Sequence, residues 1–183
     1  MRRRPYIIAL LAITVLAVLA GVVAYVVRER AADRERNEAK PALFSSEASE
    51  AYTDLDGNKI DIAGVEGKIV IATSWASWCP QCVEELQLLN DLALERNDDR
   101  VQVLALNRME PKHQAQRFMA TLPSLPSITF VLDNQDHFFN TVLGYAMPET
   151  IFYNAEGEIV LHKRGNLTKE EAVAALEKAL TAD

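Results

Sequence analysis

The chain holds two cysteines, and they stand three positions apart in Trp75-Ala-Ser-Trp78-Cys79-Pro80-Gln81-Cys82. A pair at this spacing suits reversible thiol–disulfide exchange. The run Lys68-Ile-Val-Ile-Ala-Thr-Ser-Trp75 before it is β-branched and apolar, and Cys82, Leu86, Leu89 and Ala93 after it recur at helical spacing. The first cysteine therefore meets a helix N-terminus, where unpaired backbone N–H groups and the helix dipole favour thiolate over thiol. Pro80, at the first helical position, is preorganised and gives up no needed donor. Cys79 is expected to be the exposed nucleophile with a lowered pKa. Cys82, about one turn on, is expected to face the protein and to act as the resolving thiol.

Other uses of two cysteines fit less well. A zinc site needs two further ligands, but His113, His137 and His162 are scattered singly. Covalent haem attachment needs a histidine after the second cysteine, and Val83 stands there. A purely structural disulfide across so small a loop at a helix start would be unusual. Neither a metal nor an organic cofactor is called for. All acids lie at or after Glu29, so residues 28–183 carry 16 basic against 26 acidic side chains. That acidic body argues against a nucleic-acid partner.

At 183 residues, 49% hydrophobic and 25% charged, the chain fits one globular domain with appendages. Asp56-Gly57-Asn58 predicts a hairpin between Ala51–Leu55 and Lys59–Ile62. A helix is predicted over Pro80–Arg96, a strand over Val101–Leu106, a helix over His113–Thr121 and a strand over Ile128–Leu132. Asp136–Leu143 reads as a short helix or loop. Thr150–Tyr153 and Glu158–Lys163 form a second predicted hairpin. Thr168 with Glu171 predicts a capping box, opening a last helix with Val173, Leu176 and Leu180 on its apolar face. Strands alternating with helices, then a hairpin, imply an α/β domain with a mixed sheet.

Residues 1–5 are a basic tail, and 6–27 form an uncharged apolar run long enough at about 1.5 Å per residue to span a membrane. A single retained anchor is expected; the competing reading, a cleaved signal peptide, fits the length of the run less well. Val22 stands where a lipidated cysteine would follow Leu19-Ala20-Gly21, which excludes a lipoprotein. Residues 28–50 read as a charged linker and 51–183 as the domain. Arginines flank the apolar run on both sides, so charge counting leaves its orientation open.

From about residue 50 to 182 the chain resembles the thioredoxin superfamily, and within it the membrane-anchored TlpA/ResA/DsbE-like thiol–disulfide oxidoreductases. The matches are Trp-Cys-Pro-Gln-Cys after a buried strand and Met147-Pro148-Glu149-Thr150 opening another. The resemblance implies a thioredoxin-like three-layer α/β sandwich with a mixed central sheet, preceded by one transmembrane helix. It implies a cis bond at Pro148, leaving the Met147 backbone free to pair with an extended substrate, and a substrate surface of Trp78, Pro80, Gln81, Met147 and Pro148. Proline after the first cysteine looks most like the DsbE branch. Thr73 occupies the position of the buried acid of cytoplasmic thioredoxins. The segment Leu104–Glu110 resembles one in ResA-like proteins that brings a Glu near the active site, so Glu110 is expected to exchange protons with Cys82 or tune its pKa. Trp75 is expected in the core and Trp78 on the surface. The loop from Leu143 to Met147 looks short for the family.

The function implied is reduction of protein disulfides outside the bacterial cytoplasmic membrane, with a membrane-bound thiol electron donor and apocytochrome c among the possible clients. The same steps run backwards would make an oxidase. A tethered adaptor with an incidental dithiol is the alternative from another class. A peroxidase of the peroxiredoxin type ranks lower, because Ala76 stands where Thr-x-x-Cys requires threonine.

Overall fold

Seven consecutive buried residues, Ile69–Trp75, form strand β2 at the centre of the domain in the computed structural model, which describes residues 15–28, 52–60, 65 and 67–182. A strand buried on both faces needs a neighbour on each edge and a layer over each face. On one edge β3 (Val101–Arg108) runs parallel, from Ile69 opposite Val101 to Trp75 opposite Asn107. On the other, β5 (Glu149–Tyr153) runs antiparallel, with Ser74 opposite Glu149. Outside these lie β4 (Ile128–Asp133), parallel to β3, the two-residue β1 (Tyr52–Thr53), antiparallel to β4, and β6 (Ile159–Arg164), antiparallel to β5. The order β1-β4-β3-β2-β5-β6 makes a mixed six-stranded sheet.

The crossovers decide which face each helix covers. Helix α1 (Pro80–Arg96) links β2 to β3, and α2 (Lys112–Met119) links β3 to β4. Both steps go the same way across parallel strands, so right-handed crossovers place both helices on one face. The final helix α4 (Lys169–Thr181) joins them, and Leu86, Leu89, Ala115 and Leu176 fill the core there with Ile71, Val103 and Phe152. The opposite face is covered by α3 (His137–Thr141), whose Phe138 packs with Val70, Leu104, Leu106 and Ile151. The expected three-layer arrangement is present.

Several local expectations shift. The N-terminal hairpin shrinks to one bridge between Thr53 and Lys59, and β1 pairs with β4 instead. Asp54 closes that turn locally, its carboxylate accepting from the Asp56 and Asn58 amides at 2.8 Å each. Ala51, Asp61 and Ile62 lie outside the described residues. Helix α2 begins one residue earlier than predicted and ends at Met119. Strand β3 runs two residues further than predicted, carrying Asn107 into the sheet. The capping box at Thr168 and Glu171 is present. Helix α4 nevertheless buries Ala172, Ala175, Leu176 and Ala179, with Val173 exposed. The expectation followed the large side chains, whereas the helix packs through its alanines.

Residues 15–28, in a separate unit, are helical and exposed. Residues 1–14 and 29–51 are outside the described set, and with them the basic tail, the start of the apolar run and nearly all of the linker. Among the described residues no helix is long and apolar enough to cross a membrane.

Candidate active site

Trp75 fixes the corner at which β2 becomes α1. It is fully buried, its indole N–H donates to the Ala105 carbonyl at 3.2 Å, and its ring stacks on Phe118 and meets Phe130 edge-on. The chain then turns through Ala76–Trp78, closed by the Cys79 amide donating to the Ala76 carbonyl at 3.1 Å. Cys79 is the N-cap of α1 and Pro80 its first residue. The Cys82 amide points back at Cys79 Sγ from 3.2 Å. A helix-start N–H in that position stabilises negative charge on the sulfur once the pair is reduced.

Cys79 and Cys82 are joined in a disulfide. Cys79, expected to be exposed, is only 3% exposed in this oxidised state and Cys82 1%. In this state the first sulfur is covered by its partner sulfur and the helix-start amide. Trp78, 60% exposed, together with the exposed Pro80 and Gln81, forms the outer surface around the pair. Trp78 also lines a cleft of about 400 Å³ with Arg108, Met109, Glu110, Pro111 and Gln114.

Ser74 joins the dithiol to the Met147–Pro148 peptide, which is cis. Its carbonyl oxygen lies 3.9 Å from Cys82 Sγ. Its hydroxyl accepts from the Glu149 amide at 3.0 Å and lies 3.5 Å from Met147 Sδ. Pro148 is buried, and its carbonyl accepts from the Gly165 amide at 2.9 Å. The sequence-predicted residues Trp78, Cys79, Pro80, Gln81 and Cys82 thus sit at one corner, and Ser74 ties Met147 and Pro148 to it.

Glu110 is placed differently from the expectation. Among the described residues its hydrogen-bond partners are the Ser77 amide at 2.8 Å, the Ser77 hydroxyl at 2.5 Å, Asn107 Nδ2 at 2.7 Å and Gln114 Nε2 at 2.6 Å. Neither sulfur is among them. Burial pushes its pKa up, but these hydrogen bonds outweigh burial and leave it below the usual value. It is an ionised clamp on the loop two residues before Cys79.

A second buried acid comes from α1. Glu85 lies one turn beyond Cys82 on the same helix face, a spacing that puts Cβ atoms about 5–6 Å apart, and it is buried. Thr73 donates to Glu85 Oε1 at 3.1 Å, the Thr150 hydroxyl touches the same oxygen, and the Leu167 amide donates to Oε2 at 3.0 Å. Burial outweighs those three and raises its pKa above the ordinary carboxylate value. Thr73, where thioredoxins carry their acid, is here a hydroxyl that holds one. The signal was present in the sequence, since position 85 falls on the apolar stripe of residues 82, 86 and 89. Glu149 was also missed as a functional group: buried, it accepts from the Tyr145 and Ala146 amides.

A mixed sheet with a Cys-x-x-Cys pair at the start of α1 and a cis-proline at the start of the adjoining antiparallel strand defines a thioredoxin-fold dithiol protein. The redoxin family model matches residues 21–180, and the chain belongs to that family. It is 31% identical over 140 residues to the thiol-disulfide oxidoreductase ResA of Geobacillus kaustophilus, covering 74% of this chain and 77% of that one. Among solved structures it is similar to a secreted Mycobacterium tuberculosis disulfide oxidoreductase homologous to E. coli DsbE, with a TM-score of 0.60, 20% identity and coverage of 73% of this chain and 98% of that one. StoA from Bacillus subtilis gives a TM-score of 0.55 at 23% identity, with 69% and 96% covered. The chain is a thiol–disulfide oxidoreductase of the ResA/DsbE type within the thioredoxin superfamily, acting on protein disulfides.

Proposed function

We propose that this oxidoreductase works as a reductant, tethered by residues 6–27 to the outer side of a bacterial cytoplasmic membrane. Thiolate Cys79 attacks one sulfur of a substrate disulfide, forming a mixed disulfide and releasing the other substrate sulfur, which takes up a proton. Cys82 then gives its proton to Glu85 and attacks Cys79 Sγ. The second substrate sulfur leaves as a thiol and the Cys79–Cys82 bond re-forms. Two electrons pass to the substrate, and a membrane-bound thiol donor restores the dithiol. The observation that carries this reading is the Cys82 amide aimed at Cys79 Sγ, with Glu85 buried one turn behind. Together they divide the pair into a stabilised nucleophile and a resolving thiol beside a base.

Neighbouring charge supports this direction: the ionised Glu110 carboxylate on the loop two residues before Cys79 opposes a thiolate there and disfavours the reduced state, which suits a donor of electrons. The tether follows from the uncharged run, and the outer location from the advantage a tethered reductant has near membrane-bound donors and clients. Apocytochrome c is the first client to try.

Equilibration of the dithiol against glutathione tests the direction: a pair fully oxidised at the glutathione poise is expected, and a pair found reduced there would make the protein an oxidase. In the same preparation Cys82→Ser should accumulate mixed disulfides with clients and Cys79→Ser should not. A membrane-impermeant maleimide on intact, pre-reduced cells should label Cys79; labelling only after lysis would place the domain in the cytoplasm.

A further inference from the structure

The segment Gly144–Met147, which leads into Pro148, is held at both ends. Gly144 lies against Phe139, so closely that a Cβ there would sit 2.7 Å from the ring, and its amide donates to the Phe139 carbonyl at 2.8 Å. At the other end Pro148 is buried and bonded to Gly165. Between them the Tyr145 and Ala146 amides reach Glu149 Oε2, at 3.4 and 3.2 Å. The path of this loop therefore depends on one carboxylate, fully removed from solvent.

A buried carboxylate needs charge partners. Glu149 finds them on β6, an edge strand that sequence patterning reads as plain: His162 Nε2 at 2.5 Å and Arg164 Nε at 3.2 Å, both on Oε1. Arg164 also lies over the Tyr145 ring, 5.1 Å from its centroid, and Tyr145 is 79% exposed beside the proline. Among the described residues, other titratable or charged groups on this face of the sheet include Tyr153, Asp133, Asp136, Arg108, His137 and Tyr52. Arg108 pairs with Asp136, and Asp133 accepts from the first amides of α3. Among the described residues, the charge recorded in contact with His162 is Glu149, whose Oε1 Arg164 shares.

We propose that His162 is a positioning residue for substrate engagement, setting the Gly144–Met147 loop through Glu149 and making its hold depend on pH. With the imidazole protonated, two cations clamp Glu149 and the loop is fixed for pairing with an extended protein substrate. With the imidazole neutral one charge is gone, Arg164 is the one cation left on Glu149, and the loop loosens. The inference rests on the chain acting on protein disulfides.

The test is the rate at which pre-reduced full-length protein reduces insulin in single turnover, divided by its rate with dithiobis(nitrobenzoate), between pH 5.5 and 8.5. The small reagent reports Cys79 thiolate alone, so the quotient removes sulfur ionisation. In the wild type it should fall about three- to tenfold across this range, the scale of one net hydrogen bond. His162→Gln should hold the low value throughout and His162→Arg the high one. A wild-type quotient independent of pH, or a His162→Arg quotient that still falls with pH, overturns the proposal; the arginine variant serves even if the glutamine variant does not fold. Wild type that reacts with the small reagent but never with insulin refutes the protein-disulfide reading itself, and the proposal falls with it.

Discussion

Two carboxylates flank the dithiol corner, and their proton affinities are pushed in opposite directions. Glu110 receives four hydrogen bonds from Ser77, Asn107 and Gln114, which more than offset its burial and keep it ionised. Glu85 is more deeply enclosed, has two hydroxyls and one amide, and is pushed toward its protonated form. The difference is one of donor supply against desolvation. A carboxylate saturated with donors is a structural anchor, whereas one short of donors holds a proton more readily and can take one from a neighbouring thiol. Proximity in sequence to a recognised motif does not tell them apart.

The largest effect expected from this contrast is on turnover. Glu85→Gln should slow insulin reduction on the order of a hundredfold, the lower end of general acid–base contributions, with the Cys79 mixed disulfide accumulating because Cys82 has lost its proton acceptor. The same substitution should change stability against pH. A carboxylate with a raised folded pKa contributes stability that is complete below its unfolded value of about 4.3 and is lost as pH rises through the folded value. Denaturant titrations should show that decline in the wild type and its absence in Glu85→Gln. Equal turnover in the two proteins would remove Glu85 from the mechanism.

Glu110→Gln should act the other way round. Turnover should stay within about threefold of the wild type, while stability at pH 7 falls by about 1.5–3 kcal/mol, the range for hydrogen bonds to a charged group. Its lowered folded pKa gives stability present above about pH 4.3 and lost as pH falls through the folded value. That acid-side loss should be missing from the variant's denaturation curves. A large drop in turnover with unchanged stability would reverse the roles assigned to the two residues.

The smallest effect belongs to Thr150→Val, which takes one hydroxyl from Glu85. With fewer donors the carboxyl should rise further, moving the acid-side midpoint of the turnover profile up by less than about one pH unit. A downward move would contradict the donor argument.

The sequence made some of this legible and hid the rest for a physical reason. Cys79, Cys82, Trp75 and the capping box at Thr168 are local signals, each carried by a few adjacent residues; Trp75 and the capping box stand as expected, whereas Cys79 is buried in the disulfide. Pro148 is far from the cysteines in sequence, and resemblance rather than patterning marked it. Glu85 sat in plain view on the α1 stripe, but its burial depends on Thr73, Thr150 and the Leu167 amide, which come from three other segments. Glu149 depends in the same way on β6. Glu110 is marked by the resemblance of Leu104–Glu110 to a ResA-like segment, and its four donors show that it holds a loop. The first hairpin failed because Asp54 closes its turn locally while β1 finds its pairing partner in β4.

The most direct measurement is a ¹³C-carboxyl NMR titration of the full-length protein labelled at glutamate, with Glu85→Gln and Glu110→Gln used to assign the two signals. The curve absent from Glu85→Gln should titrate above the ordinary glutamate value of about 4.3, and the curve absent from Glu110→Gln below it. Two curves at the ordinary value, or the same two in reversed order, would contradict the division of labour between these carboxylates.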